Sequence, residues 1–158
     1  MNRRNKPSRA PAITGKKVRL PRRRAQLELS IPSQLSAVER VCERIRGLLA
    51  GRHSQQVRFE VELVARECLN NAILHGNGGL PHRRVSFVMR LGKQRICLRI
   101  ADQGPGFNWH EARRRSWPGQ NNPRGRGLLL VGSCTQRVRF NRKGNQITVW
   151  IPTTGEGR

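Results

Sequence analysis

ECLNNAILHG, from Glu67 to Gly76, is the stretch of this sequence that decides how it folds. Glu67, Asn71 and His75 stand four residues apart, so on a helix they share one face. A carboxylate and an amide placed together in this way can accept a proton and ligate a cation. A solvated polar stripe is the alternative interpretation. Two consecutive asparagines in mid-helix are unfavourable for helix formation, however, and this favours a function for Asn71.

A second cluster, IADQGPGFNW, follows an apolar run and contains Asp102, the only aspartate in the chain. Gly104 and Gly106 flank a proline, and without Cβ atoms they allow the backbone to pass close to a ligand. A carboxylate at a strand end can accept a hydrogen bond from an exocyclic amine such as that of adenine. A strand end followed by an ordinary glycine turn has the same pattern, so this cluster alone is a weak signal.

A third cluster, PRGRGLLLVG, runs from Pro123 to Gly132. Its glycines open a predicted helix whose first backbone N–H groups lack partners, which is a favourable arrangement for binding phosphates. Arg124 and Arg126 add positive charge. A flexible loop leading into a core helix is the alternative interpretation.

The clusters lie within an alternation of helical and strand patterns. Apolar residues alternate from Gln26 to Ile31, which predicts a strand. Two segments with apolar residues at helical spacing follow. We expect Ser33 or Ser36 to cap the first of these helices, with Glu39 completing a capping box. The predicted elements are a strand 26–31, a helix ending at Gly51, a helix 55–75, strands 84–91 and 95–101, a polar loop 108–124, a helix 125–133, and strands 136–140 and 146–151. This order predicts an α/β (α+β) two-layer sandwich with helices on one face of a mainly antiparallel, mixed sheet.

Composition limits the classes of function. Lys and Arg number 32 against 9 Asp and Glu, and residues 1–26 contain no acid, so we expect a basic, disordered tail before a domain at 27–153. An excess of positive charge attracts polyanions such as nucleic acid, and the basic tail offers a segment that a polyanion can contact. The apolar runs are too short to span a bilayer, and we expect a cytoplasmic protein. Four widely separated cysteines favour neither a zinc site nor disulfides.

Together the three clusters resemble the N, G1 and G2 boxes of the Bergerat-type ATPases, the GHKL superfamily that includes gyrase and histidine kinases. The matching residues read E-x-x-x-N-A-x-x-H-G, D-x-G-x-G-F and G-x-G-L-x-L-V, and the resemblance extends from about Leu27 to Pro152. The opening SIPSQLSAVERV and the run GRGLLLV are similar to those of the anti-sigma-factor serine/threonine kinases. No helix with a phosphoacceptor histidine precedes the motifs in this sequence, so it looks unlike a sensor histidine kinase.

The resemblance implies a Bergerat fold that binds ATP and Mg²⁺, with Glu67 as the general base and Asn71 as the magnesium ligand. Asp102 would bind the adenine amine, and Gly104 and Gly106 would shape its pocket. The lid would comprise residues 108–124, and the phosphates would be bound by Arg124, Gly125, Arg126, Gly127 and Leu128.

By the same resemblance, the substrate is an anti-anti-sigma protein of the STAS type, and the kinase also sequesters a sigma factor or analogous regulator. Members of the family often form homodimers. Two alternatives stay open: a nucleotide-dependent binding protein without useful turnover, and a nucleic-acid-binding module driven by charge. Aromatic residues make up only 4% of the chain, which offers little stacking surface for the second.

Overall fold

The computed structural model describes residues 26–108 and 126–154. The predicted tail lies outside the described residues except for Gln26, and the predicted lid lies outside them except for Asn108. The elements below therefore belong to the two described ranges.

Five strands form one sheet in the order β1-β2-β3-β5-β4, and all four pairings of these strands are antiparallel. Their bounds are β1 Gln26–Pro32, β2 Arg84–Leu91, β3 Arg95–Ala101, β4 Arg137–Phe140 and β5 Gln146–Pro152. The predicted α+β architecture is confirmed. The two hairpins turn at Gly92 and at Gly144, whose φ of 79° explains why a glycine stands there.

Three α-helices complete the fold: α1 Ser36–Leu49, α2 Gln55–Asn71 and α3 Arg126–Cys134. Ser54 caps α2, since its hydroxyl accepts a hydrogen bond from the backbone N–H of Val57 at 3.3 Å. The capping box predicted for α1 is wrong, because Leu35 occupies the cap position. Glu39 instead accepts hydrogen bonds from Arg46 and Arg66, at 2.7 and 2.8 Å, and so links α1 to α2.

The core lies between one face of the sheet and helices α1 and α2. Alternation along the strands turns every second side chain inward, and β3 shows it clearly: Ile96, Leu98 and Ile100 are buried while Arg95 and Arg99 are exposed. The largest fully buried side chains come from both layers and are Phe87, Ile45, Leu49, Leu69, Ile73, Met89, Ile96, Leu98, Ile100, Ile151, Val41 and Val61. The opposite face of the sheet carries the outward residues of the same strands.

The predicted helix 55–75 is α-helical only to Asn71, and residues Ala72–Gly76 form a π-helical turn. The wider turn is closed by the N–H of Asn77, which donates to the carbonyl of Ala72 at 2.7 Å. Asn77 is completely buried, and its side chain bonds to two other segments. The tertiary bonds of Asn77 explain why the helix widens here, and π-turns of this kind are frequent at functional sites.

Candidate active site

The carboxyl end of α2 and the loop after β3 form one side of a cavity of about 300 Å³. Asn71 and His75 line it from the helix, and Asp102 and Gly106 line it from the loop. Three predicted site residues, Asn71, Asp102 and Gly106, therefore meet at one cavity although up to 35 positions separate them in the chain. Glu67 is half-buried one helical turn before Asn71 and lies outside this lining.

Asp102 is held from both sides by backbone and amide groups. Its N–H donates to the carbonyl of Asn145 at 3.0 Å, and the side-chain amide of Asn145 donates to the Asp102 carbonyl at 3.1 Å. The N–H of Gly104 donates to Oδ1 of Asp102 at 2.8 Å. This last bond occupies one carboxylate oxygen and leaves Oδ2 available to a ligand in the cavity.

Partial burial raises the pKa of the Asp102 carboxyl above its ordinary value, while the hydrogen bond from Gly104 acts in the opposite direction. A partly desolvated carboxylate gains more from a hydrogen-bond donor than an exposed one does, because water competes less for it. Asp102 is thus suited to recognise an N–H group on a ligand.

Close backbone contacts explain the glycines around Asp102. A Cβ at Gly76 would overlap the Asp102 carboxyl group, and a Cβ at Gly104 would overlap the carbonyl oxygen of Gly76. A Cβ at Gly106, where φ is 79°, would overlap the carbonyl oxygen of Lys143. The end of the π-turn, the β3 loop and the β4–β5 turn therefore pass each other at distances that only glycine allows.

The remaining walls of the cavity are largely apolar. Ile100 and Ile147 project into it from neighbouring strands, and the rings of Phe107 and Phe140 meet edge to face at 5.3 Å. Cys68 also lines the cavity, and burial raises the pKa of its thiol to about 12, so it packs as a small neutral side chain. An apolar slot with one carboxylate at its edge suits a flat heterocycle that carries an exocyclic amine.

The third sequence cluster is only partly described. Arg124 and Gly125 lie outside the described residues, whereas Arg126, Gly127 and Leu128 form the first turn of α3. This helix packs against α2, and Val131 anchors it in the core. Three of the five predicted phosphate-binding residues thus open a helix that adjoins the one carrying Glu67 and Asn71.

Comparison with protein families gives a match over residues 31–151, to the histidine kinase-like ATPase domain. The chain belongs to this family. A comparison with curated proteins gives no match. Family membership supports ATP binding and kinase-like use of ATP by this histidine kinase-like ATPase domain.

None of the helices in the two described ranges has the length and apolar character needed to cross a membrane.

Sequence reasoning missed three residues that build this histidine kinase-like site. Asn77 joins the π-turn to β2 and to the Asp102 loop, Asn145 holds the backbone of Asp102, and Phe140 walls the cavity. The pair Gly144-Asn145 lies between two predicted strands and is typical of a turn, but such a pattern does not say which segment the turn contacts. Nothing in the sequence around Asn77 distinguishes it from an ordinary asparagine at a helix end.

Proposed function

We propose that this protein is an ATP-dependent serine/threonine kinase of the anti-sigma-factor type. The observation that carries the proposal is the single cavity that brings Asp102 and Asn71 together in a chain of the histidine kinase-like ATPase family. The family supports ATP as the nucleotide, and the opening and GRGLLLV similarities support the anti-sigma type. That the protein phosphorylates another protein, and which partners it has, are our inferences from the family and from these two similarities.

In this proposal successive turns at the carboxyl end of α2 serve different parts of the substrates. Gly76 abuts Asp102, so the end of the helix marks the adenine position, and the adenine amine donates to Oδ2 of Asp102. Asn71 and then Glu67 lie progressively farther along the helix, about 6 Å apart in rise. The residues thus follow the order adenine, phosphates and acceptor hydroxyl. A base for the acceptor belongs beyond the nucleotide, which agrees with the position of Glu67 outside the cavity lining.

The chain supplies positioning and charge. Asn71 is the proposed magnesium ligand, and its amide oxygen suits a cation that takes only one or two protein groups beside phosphates. When bound, Mg²⁺ neutralises charge on the phosphates. Arg124, Gly125, Arg126, Gly127 and Leu128 would bind the phosphates with backbone N–H groups and side-chain charge. Glu67 accepts the proton of the serine or threonine hydroxyl as the phosphoryl group transfers.

The proposed protein substrate is a STAS-type anti-anti-sigma protein in the cytoplasm. When that protein is phosphorylated, the kinase would retain a sigma factor or analogous regulator. We propose that it does so as a homodimer, as members of the anti-sigma kinase family often do. These assignments rest on the similarity of residues 29–41 and 125–131 to the anti-sigma kinases.

The decisive experiment measures transfer from labelled ATP with Mg²⁺ to candidate STAS proteins. Glu67→Gln keeps the shape of the side chain, so ATP affinity should stay at the parent value while transfer slows about 100-fold or more. Asn71→Ala should weaken magnesium-dependent ATP binding, and transfer should fall with it. Glu43→Gln is the matched control, since Glu43 is exposed on α1, and it should transfer phosphate at the parent rate.

Transfer by Glu67→Gln at the parent rate would contradict the role of Glu67 as the base. A parent protein that binds ATP and retains a regulator, yet phosphorylates no STAS protein, would instead be a nucleotide-dependent binder. That second result would overturn the kinase proposal while leaving the nucleotide site in place.

A further inference from the structure

The face of the sheet opposite the helices is strongly basic. Alternation turns the side chains of six exposed arginines to this face. Arg84 binds Ser30 at one end of β2, and we name the other five together the arginine face: Arg90, Arg95, Arg99, Arg137 and Arg139. They come from three strands, β2, β3 and β4. Glu28 is the one acidic residue that the described strands turn to the same side.

The strand register arranges four of these arginines in two adjacent rows, and Arg95 follows at the start of β3. In one row Arg99 and Arg139 flank Thr148, and in the next Arg90 and Arg137 flank the pair formed by Cys97 and Trp150. Strands lie about 4.8 Å apart, so the two arginines around Thr148 have Cα atoms about 10 Å apart. Cations at this spacing form a continuous stripe across the sheet.

A depression of about 550 Å³ lies among these rows. Arg90, Arg95, Arg99 and Arg139 line it, and Trp150 lies beside them. The Arg137 guanidinium carbon is 5.3 Å from the centre of the Trp150 ring, which places the cation against the ring. The arginine face therefore combines concentrated positive charge with a flat, partly exposed surface.

The arginine face carries an excess of positive charge among the described residues, because Glu28 is the one carboxylate that these strands set against five arginines. The ion pairs of Glu39 and Glu62 with Arg46 and Arg66 lie in the helical layer on the other side of the sheet. Five close cations that share one carboxylate repel one another, so an anionic ligand would lower the electrostatic repulsion within this face.

The chemistry of the face favours nucleic acid over an acidic protein. Protein interfaces concentrate apolar side chains at the centre and exclude charge from it, whereas protein–nucleic acid interfaces are polar and strongly positive. All five cations are arginines, whose planar guanidinium groups match phosphates and also stack on bases. Trp150 offers a further stacking surface at their centre.

We propose that the arginine face binds single-stranded nucleic acid, with phosphates on Arg99 and Arg139 and bases stacked at Trp150 and Arg137. A sheet surface with an exposed aromatic suits unpaired bases, whereas a duplex keeps its bases stacked inside. Residues 1–25, with ten Lys and Arg and no acid, join the sheet at Gln26, whose partner in the register is Arg90.

The binding does not depend on the proposed kinase reaction, because the five arginines and the residues proposed to hold the nucleotide lie on opposite faces of the sheet. Phe140 and Gln146 border both cavities. On β3, Ile100 turns into the nucleotide cavity while the adjacent Arg99 turns to the arginine face. Variants of the arginine face should therefore keep their ATP affinity, and that affinity also checks that they fold.

The test measures anisotropy of a labelled 20-nucleotide single strand, as RNA and as DNA, with the full chain over a series of salt concentrations. Arg99→Gln/Arg139→Gln should weaken binding at least about tenfold at 0.1 M salt. Because the variant loses two phosphate contacts, each worth about 0.7 in the slope of log affinity against log salt, the magnitude of that slope should fall by about 1.4. Arg40→Gln/Arg44→Gln removes the same charge from exposed positions on α1 and is the matched control. We expect it to stay within about threefold of the parent.

A second variant separates base stacking from charge. Trp150→Leu should lower affinity for the single strand at least about fivefold while the salt slope stays unchanged. Polyglutamate and a duplex of the same length serve as competitors, and both should compete more weakly than the unlabelled single strand. Equal losses in the two double-arginine variants would overturn the proposal by showing diffuse attraction. Stronger competition by polyglutamate would overturn it in favour of an acidic protein, and stronger competition by the duplex would overturn the single-strand assignment.

Discussion

Asp102 owes its position to the three chain segments that surround its carboxyl group. Gly104 donates to one oxygen, Asn145 holds the backbone on the other side, and Gly76 leaves just enough space for the carboxyl group. A carboxylate that is held in this way loses little freedom on binding a ligand. The place of this carboxylate at a strand end was predictable, since Asp102 is the only aspartate and follows an apolar strand pattern. The bonds from Asn145 were not predictable, because Asn145 lies 43 residues away in the chain.

Substituting Gly76 tests this arrangement at the residue scale. Gly76→Ala places a Cβ against the Asp102 carboxyl group, which has to move, so ATP affinity should fall at least about tenfold and stability by about 1–3 kcal/mol. Gly47→Ala is the control, because its Cβ in α1 meets nothing within 4 Å, and it should stabilise the protein by about 0.5–1 kcal/mol. Calorimetric ATP titration and urea unfolding give both quantities. Parent-like ATP affinity in Gly76→Ala would show that the carboxyl position does not matter.

At the scale of elements, the strands followed from the sequence and the end of α2 did not. Every predicted strand agrees with the structure within one residue at each end, because period-two alternation marks a sheet with one buried face. The π-turn Ala72–Gly76 depends on hydrogen bonds from Asn77 to the β2 and β3 segments, and no local pattern reports such tertiary bonds. The missing capping box has a similar cause, since Glu39 pairs with arginines of α1 and α2 instead.

The role of Asn77 as a connector can be tested by removing its amide. Asn77→Ala loses the bond from Nδ2 to the Arg84 carbonyl at 3.1 Å and the bond that Oδ1 accepts from the Gln103 N–H at 2.8 Å. We expect the free energy of unfolding to fall by about 1–3 kcal/mol, since the partners lose their hydrogen bonds. Gln94→Ala, at an exposed position in the β2–β3 hairpin, should change it by less than about 0.5 kcal/mol. Equal effects of the two substitutions would mean that Asn77 does not hold these segments together.

For the whole molecule, the sheet separates two chemistries. The nucleotide cavity opens between the sheet and α2, while the arginine face lies on the other side of the same strands. The first was expected from three short motifs, because their order and spacing resemble those of one ATPase family although each motif alone is a weak signal. The second was visible only as an excess of positive charge. Composition does not tell which side of a strand each arginine occupies, and only the register brings five of them together around Trp150.

Adenine recognition by Asp102 is the central claim, and titration calorimetry with Mg²⁺-ATP and Mg²⁺-GTP tests it most directly. The parent protein should bind ATP at least about tenfold more tightly than GTP, since guanine presents a carbonyl acceptor to a carboxylate that is also an acceptor. In Asp102→Asn, Oδ1 can keep its bond to the Gly104 N–H while an NH₂ group replaces Oδ2, so ATP should bind more weakly and the preference for ATP should shrink or reverse. Glu43→Gln removes a negative charge elsewhere and should keep the parent preference. Equal affinity of the parent protein for ATP and GTP would contradict the account.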